Sequence, residues 1–239
     1  MSDPAPDPAT KPGRAVAGMF SAIAPTYDLL NHLLSLNRDK RWRRLMARAL
    51  DPLPKERCLD LCTGTGDVAL AAIKAQPDCR VTGADFSREM LMQAALKAVR
   101  RKANIPLVQA DALALPFRDG AFDAVIAAFG IRNFEDLNRG LSEMARVLSP
   151  SGRVVILEFS PPRRSLFGAL YRLYFTRALP LIGKLVSRDT HAYGYLPATV
   201  QSFLTPNELA EKLQAAGFSA VTYTLLTFGI VVLTVAQKR

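Results

Sequence analysis

The sequence predicts an α/β fold: a mostly parallel sheet with helices on both faces, a helical cap in front and an antiparallel hairpin at the end. Three observations carry that prediction. From Arg57 onward, short apolar strand patterns alternate with helical ones. The first strand pattern runs into a glycine-rich turn and then a helix within Leu59 to Leu70, LDLCTGTGDVAL. The chain closes on two strand patterns separated only by Phe228-Gly229.

Taken in order, the opening MSDPAPDPATKPGR is polar and proline-rich, and residues 1–14 are expected as a disordered tail without the apolar core of a signal peptide. Residues 15–239 then form one domain. Val16, Met19, Phe20 and Ile23 fall at helical spacing up to Pro25; Leu30, Leu33 and Leu34, then Trp42, Leu45, Met46 and Ala49, continue the period. Residues 15–50 are therefore expected as a helical cap packed on the sheet. Tyr27, Asp28, Asn31 and His32 bring hydrogen-bonding groups into this apolar cap, beside a glycine turn that needs a cover. Arg38, Lys40, Arg41, Arg43, Arg44 and Arg48 make the densest basic run, which fits a solvated helix face first and an anionic lipid or ligand surface second.

Strands are expected at Arg57 to Leu61, Arg80 to Asp85, Pro106 to Ala110, Phe122 to Ala128 and Arg153 to Phe159, with helices near Val68 to Ala75, Ser87 to Arg101 and Leu137 to Val147. Right-handed crossovers then bring the carboxyl ends of these strands to one edge, where Gly64, Asp85, Asp111 and Phe129 fall. Residues 163–205 read as an inserted segment facing substrate or membrane. There Leu166, Phe167, Leu170, Tyr174, Leu181 and Leu185 interleave with Arg172, Arg177, Lys184 and Arg188, a pattern that suits a membrane interface or a buried helix pair. Val221 to Leu226 and Ile230 to Ala236 make the closing hairpin.

The glycine turn lets a backbone approach a bulky ligand, and a carboxylate about 20 residues on can take both hydroxyls of a ribose. Gly64, Gly66 and Ala69 also fit G-x-G-x-x-A, so a dinucleotide, or a turn with no ligand, stays open. The closing hairpin and the third acid, Asp111, favour S-adenosylmethionine over NAD. The net charge of +10 favours an anionic partner. Three cysteines without C-x-x-C and two histidines support neither a disulfide frame nor a metal site, which fits a reducing cytoplasm. No apolar run reaches the roughly 18 residues of a membrane span, so any contact with the inner face of the cell membrane is expected to be peripheral.

These features resemble the class I methyltransferase fold, and four stretches narrow the likeness. Tyr27-Asp28-Leu29-Leu30-Asn31 with Ser35 and Trp42, Ala114-Leu115-Pro116-Phe117, Phe129-Gly130-Ile131-Arg132-Asn133, and Arg146-Val147-Leu148 with Pro150, Gly152, Glu158 and Ser160 are similar to the ubiquinone/menaquinone biosynthesis C-methyltransferases. There are departures: Leu30 replaces a methionine, Asp39 a histidine, Ser149 a lysine and Ser151 a glycine. Asp111 and Ala128 stand where close relatives have asparagine and serine.

The resemblance implies methylation of the ring carbon of a prenylated quinol, with naphthoquinol and benzoquinol both open. Gly64, Thr65 and Gly66 would receive the cofactor's methionine end, Asp60 its amino group, Asp85 its ribose, and Asp111 with Ala112 its adenine, with Ala128 beside them. Arg132 is the candidate for stabilising a quinol oxyanion and Asn133 for orienting the other oxygen, while Tyr27, Asp28, His32 or a water could accept the proton. The alternative for Arg132 is a surface ion pair with Glu135 or Asp136. A nucleic-acid methyltransferase lacks a visible stacking surface here, so no nucleic acid partner is expected. A non-catalytic scaffold in the quinone pathway and a homodimer both stay open.

Overall fold

The computed structural model describes residues 6–161 and 191–239. Most of the inserted segment expected at 163–205 therefore lies outside the described residues. Three helices come first, α1 (Gly13–Ile23), α2 (Tyr27–Leu34) and α3 (Arg38–Leu50). The alternating part follows as β1 (Arg57–Leu61), α4 (Asp67–Ala75), β2 (Arg80–Asp85), α5 (Arg88–Arg100), β3 (Leu107–Gln109), β4 (Phe122–Ala128), α6 (Leu137–Val147) and β5 (Leu148–Phe159). After it come α7 (His191–Gln201), α8 (Pro206–Ala215), β6 (Phe218–Leu226) and β7 (Val231–Lys238).

One seven-stranded sheet has the order β3-β2-β1-β4-β5-β7-β6. The first five strands pair in parallel, and β7 runs antiparallel to both β5 and β6. Alternation along β4 explains the two layers. Val125 and Ala127 point into a core with Leu141, Met144 and Val147 of α6 and Leu209 and Leu213 of α8. Ala124 and Ile126 point the other way, onto Trp42, Met46 and Leu50 of α3 and Val68, Ala69 and Ala72 of α4. Thus α3 belongs to the sheet's helical layer, and Trp42 Nε1 donates to Thr227 Oγ1 (2.8 Å) in the β6–β7 turn. α1 instead packs Val16, Met19 and Ile23 against Met90 of α5 and Tyr195 of α7.

Helix starts follow the local chemistry. Ser87 Oγ accepts the N–H of Met90 to cap α5, Asp136 accepts that of Arg139 to cap α6, and Thr205 with Glu208 forms a capping box ahead of Pro206. Several boundaries differ from the sequence expectation, by two residues or more at three starts. α1 begins at Gly13, inside the stretch expected as tail. β5 begins at Leu148 rather than Arg153, because Leu148 pairs with Phe122 before the register slips across the Ser149–Gly152 turn residues. β6 begins at Phe218 rather than Val221, since Ala220 at φ 49 interrupts the alternation where the pairing with β7 shifts register.

Candidate active site

Strand order reverses between β1 and β4, and the crevice at their carboxyl ends is where an open α/β sheet holds ligands. A cleft lies there with about 880 Å³ of empty space including its open mouth, enough for a nucleoside-sized molecule and a second small group. Its floor follows the sheet: Asp111 and Ala112 beyond β3, Asp85 at the end of β2, Cys62 and Gly64 beyond β1, Ala128 at the end of β4 and Asn133 beyond it. Val16 and Phe20 of α1 and Tyr27 of α2 also line it.

Gly64 adopts φ 54 and gives its N–H to Asp85 Oδ2 at 2.8 Å, while Ser87 N donates to Asp85 Oδ1 at 2.9 Å. The backbone N–H of Phe86 also donates to this carboxylate, which lines the cleft. Loss of water around it pushes the Asp85 carboxyl above its ordinary pKa, against the pull of those backbone donors. Gly66, at φ 82, starts α4; a Cβ there would sit 3.2 Å from that of Ala94, so the turn rests directly on α5. Asp60 is buried beneath the turn. Its Oδ2 accepts from Thr63 Oγ1 at 2.6 Å and from Ala69 N at 3.0 Å, whereas Oδ1 has no partner, and burial pushes its pKa up to about 7. A buried acceptor left open is suited to an ammonium group, met directly or through water.

Thr65 and Asp28 are placed differently from the expectation. The Thr65 hydroxyl donates to Asp28 Oδ1 at 2.6 Å and accepts from Lys97 Nζ at 2.9 Å. Lys97 also meets Asp28 Oδ2 at 2.5 Å and Asp67 Oδ1 at 2.6 Å. Asp28 is thus a fastener between α2 and the glycine turn, and neither its carboxylate nor the Thr65 side chain lines the cleft. His32 is likewise engaged: its Nδ1 lies 2.7 Å from Asp39 Oδ2, and Asp39 also accepts from Ser35 Oγ at 2.7 Å and from Arg43. Burial works to raise the Asp39 carboxyl, but Ser35, Arg43 and His32 together hold it below its ordinary value.

Arg132 is 5% exposed and pairs with Glu158, 2% exposed, at 2.8 Å. It also donates to Phe129 O, and its guanidinium carbon lies 5.4 Å from the centre of the Phe159 ring. The surface pairing with Glu135 or Asp136 is therefore replaced by a buried one. Glu135 instead accepts from Gly13 N at 3.4 Å, and Asp136 caps α6. Arg132 Nε and Asn133 Oδ1 are both buried without a partner. Of the two, Asn133 lines the cleft.

Sequence reasoning missed Glu158 as the Arg132 partner, Lys97 as the fastener, and the wall made by Cys62 and Gly130. A Cβ on Gly130 would come within 2.7 Å of Cys62 Sγ, so that glycine is set by a close approach between β1 and β4.

Residues 9–238 match the ubiE/COQ5 methyltransferase family. The chain belongs to that family. The demethylmenaquinone methyltransferase of Thermus thermophilus is 52% identical over 221 residues, which cover 92% of this chain and 100% of that protein. The demethylmenaquinone methyltransferase of Deinococcus radiodurans is 50% identical over 228 residues, 95% of this chain and 94% of that one. Among solved structures, the [4+2]-cyclase SpnF superposes with a TM-score of 0.69 at 18% identity, covering 99% of this chain and 97% of that one. A SAM dependent methyltransferase from Aquifex aeolicus gives 0.60 at 16% identity over 82% of this chain and 89% of that one. These two likenesses concern the fold. In this member of the ubiE/COQ5 family, the Tyr27–Asn31 and Phe129–Asn133 stretches, about a hundred residues apart in sequence, meet at the cleft through Tyr27, Phe129 and Asn133.

Proposed function

We propose that the protein is an S-adenosylmethionine-dependent C-methyltransferase acting on a ring carbon of a prenylated quinol, either demethylmenaquinol or a 2-polyprenyl-6-methoxy-1,4-benzoquinol. One observation carries the reading: a single cleft joins an acidic end at Asp111 and Asp85 to an end lined by Phe134, Phe20 and Asn133, whose Oδ1 has no partner. The names of the Thermus and Deinococcus relatives, both demethylmenaquinone methyltransferases, support the first of these substrates.

When bound, S-adenosylmethionine supplies an electrophilic methyl group. Asp85 takes the ribose hydroxyls, Asp111 and Ala112 take the adenine edge, and Asp60 turns its open oxygen to the amino group. Gly64, the Thr65 backbone and Gly66 receive the carboxylate end, and Ala128 leaves room beside them. For the ring carbon to attack, one quinol hydroxyl must lose a proton from a phenol-like pKa of about 10. Arg132 is already neutralised by Glu158 and stands outside the lining of the cleft, so it acts on the quinol site by holding the Phe129 carbonyl and the segment leading to Asn133 more than as a free positive charge. Asn133 Oδ1 accepts from the other hydroxyl or from a water. Burial raises the pKa of Tyr27, keeping it protonated and a donor to the ring oxygen. With Asp28 and His32 engaged elsewhere, a water held at Asn133 and Tyr27 is the route for the departing proton.

The reading places the protein in the cytoplasm, at the inner face of the cell membrane; no described helix is long and apolar enough to cross a membrane. The test is one incubation with labelled cofactor and, in parallel, reduced demethylmenaquinone, a reduced demethylated ubiquinone precursor, and bulk RNA. Label is expected in a quinol, and label in RNA alone, or in none, would overturn the reading.

A further inference from the structure

We propose that the outer face of α2 and α3 is a docking surface for an anionic lipid bilayer. On α2, Leu29 and Leu33 are 60% and 43% exposed, and Leu36 just beyond the helix is 74% exposed, whereas Leu30 on the opposite side is buried. Leu29 and Leu33, at i and i+4, share one face of α2, and Leu36 follows them in the connection to α3. Leu36 and Asn37 both take left-handed backbone conformations, at φ 52 and 58. That conformation is unfavourable for leucine, yet it joins the two helices at a tip that carries an apolar side chain in water.

The stripe leads directly into a cationic face. Arg38, Lys40, Arg41, Arg44 and Arg48 are exposed on α3, and none of them pairs with a carboxylate among the described residues. Arg43, turned inward, is paired with Asp39 and Asp67. Leucines flanked by unpaired cations match the two layers of an anionic leaflet: acyl-chain boundary for the former, phosphates for the latter. A second copy of the chain is disfavoured as the occupant, because a two-fold contact would set this face against its own charges. Nucleic acid would want stacking rings among the cations, and the stripe offers leucines.

The surface deepens the proposed function and rests on it for its purpose, since a prenylated substrate resides in the bilayer. Tyr27 on α2 lines the cleft and Asp28 is fastened to the glycine turn through Lys97, so docking by α2 holds the cleft at headgroup level.

The experiment is flotation of the full chain with vesicles of phosphatidylcholine alone or with about 30% phosphatidylglycerol, for wild type, Leu36→Asp and Arg41→Glu/Arg44→Glu, with light scattering for mass. Wild type should float with the anionic vesicles and detach at high salt. The charge variant should lose at least about 25-fold in partitioning, near fivefold per cation removed, and Leu36→Asp about tenfold, both with unchanged melting. Wild type staying off the vesicles, or both variants floating as well as wild type, overturns the proposal. So does a dimer that the variants dissociate while vesicle binding is absent. Turnover of a short-tailed, water-soluble quinol is read separately. If vesicle binding is lost in the variants but no quinol is methylated, the surface stands and the substrate reading fails.

Discussion

Asp60 is a carboxyl group placed where it resists ionisation. Unfolded, it titrates near 3.8; folded, burial moves it to about 7. Below 3.8 both states hold the proton and nothing is lost. Between 3.8 and about 7 the folded protein keeps a proton that the unfolded chain has released, so the stability of the ligand-free protein should fall as the pH rises, levelling above 7. Asp60→Asn should flatten that part of a denaturation-versus-pH series while weakening cofactor binding at pH 8; an unchanged series would mean that Asp60 titrates normally. Arg132 needs a different design. Arg132→Leu alone strands Glu158 in the core, at a cost of about 3–5 kcal/mol. Arg132→Leu combined with Glu158→Leu removes that penalty. The double variant should melt near wild type and bind cofactor in calorimetry with unchanged affinity, yet lose turnover by about a hundredfold or more. Retained turnover would take Arg132 out of the chemistry. Gly64, Asp85 and Asp111 were legible because a glycine turn and strand-end acids announce themselves over short spacings. Glu158 was not, since its pairing with Arg132 spans 26 residues and two strands and leaves no local mark.

At the scale of elements, Lys97 of α5 gathers Asp28 of α2, Thr65 of the turn and Asp67 of α4 around one ammonium group. Its loss leaves two carboxylates facing each other and frees α2 from the turn. Lys97→Met should weaken cofactor affinity by about tenfold and speed amide exchange in α2, while Lys97→Arg should recover much of both. Equal affinity in all three would show that the fastener does not govern the site. The helices of the cap could be read from periodicity alone, because apolar residues every third and fourth position have few other uses. Which of them face the ligand could not: Val16 and Phe20 reach the cleft while Met19 and Ile23 do not, and all four obey one period. The early start of β6 was hidden for a related reason, since one residue at positive φ breaks the two-residue alternation that marks a strand.

For the whole molecule, the parallel strands and two helical layers followed from the alternation of patterns, and the hairpin from its short turn. The assignment of α3 to a sheet face depended on contacts such as Trp42 with Thr227, 185 residues apart. A ligand that binds only the folded chain stabilises it by about 2.7 kcal/mol at a hundredfold excess over its dissociation constant. For a protein of this size, S-adenosylmethionine at that level should raise the melting temperature by roughly 5–10 °C, and NAD should not. The reverse result would return the glycine turn to a dinucleotide reading. Trp42 gives the molecule one more property. It is the chain's single tryptophan, packed 6.0 Å from Phe129 and 6.3 Å from Phe159, centre to centre, and Phe129 also lines the cleft. The tryptophan emission of the protein, excited selectively over its six tyrosines, therefore comes from one indole a single ring away from the cleft, an optical probe of occupancy that requires no label.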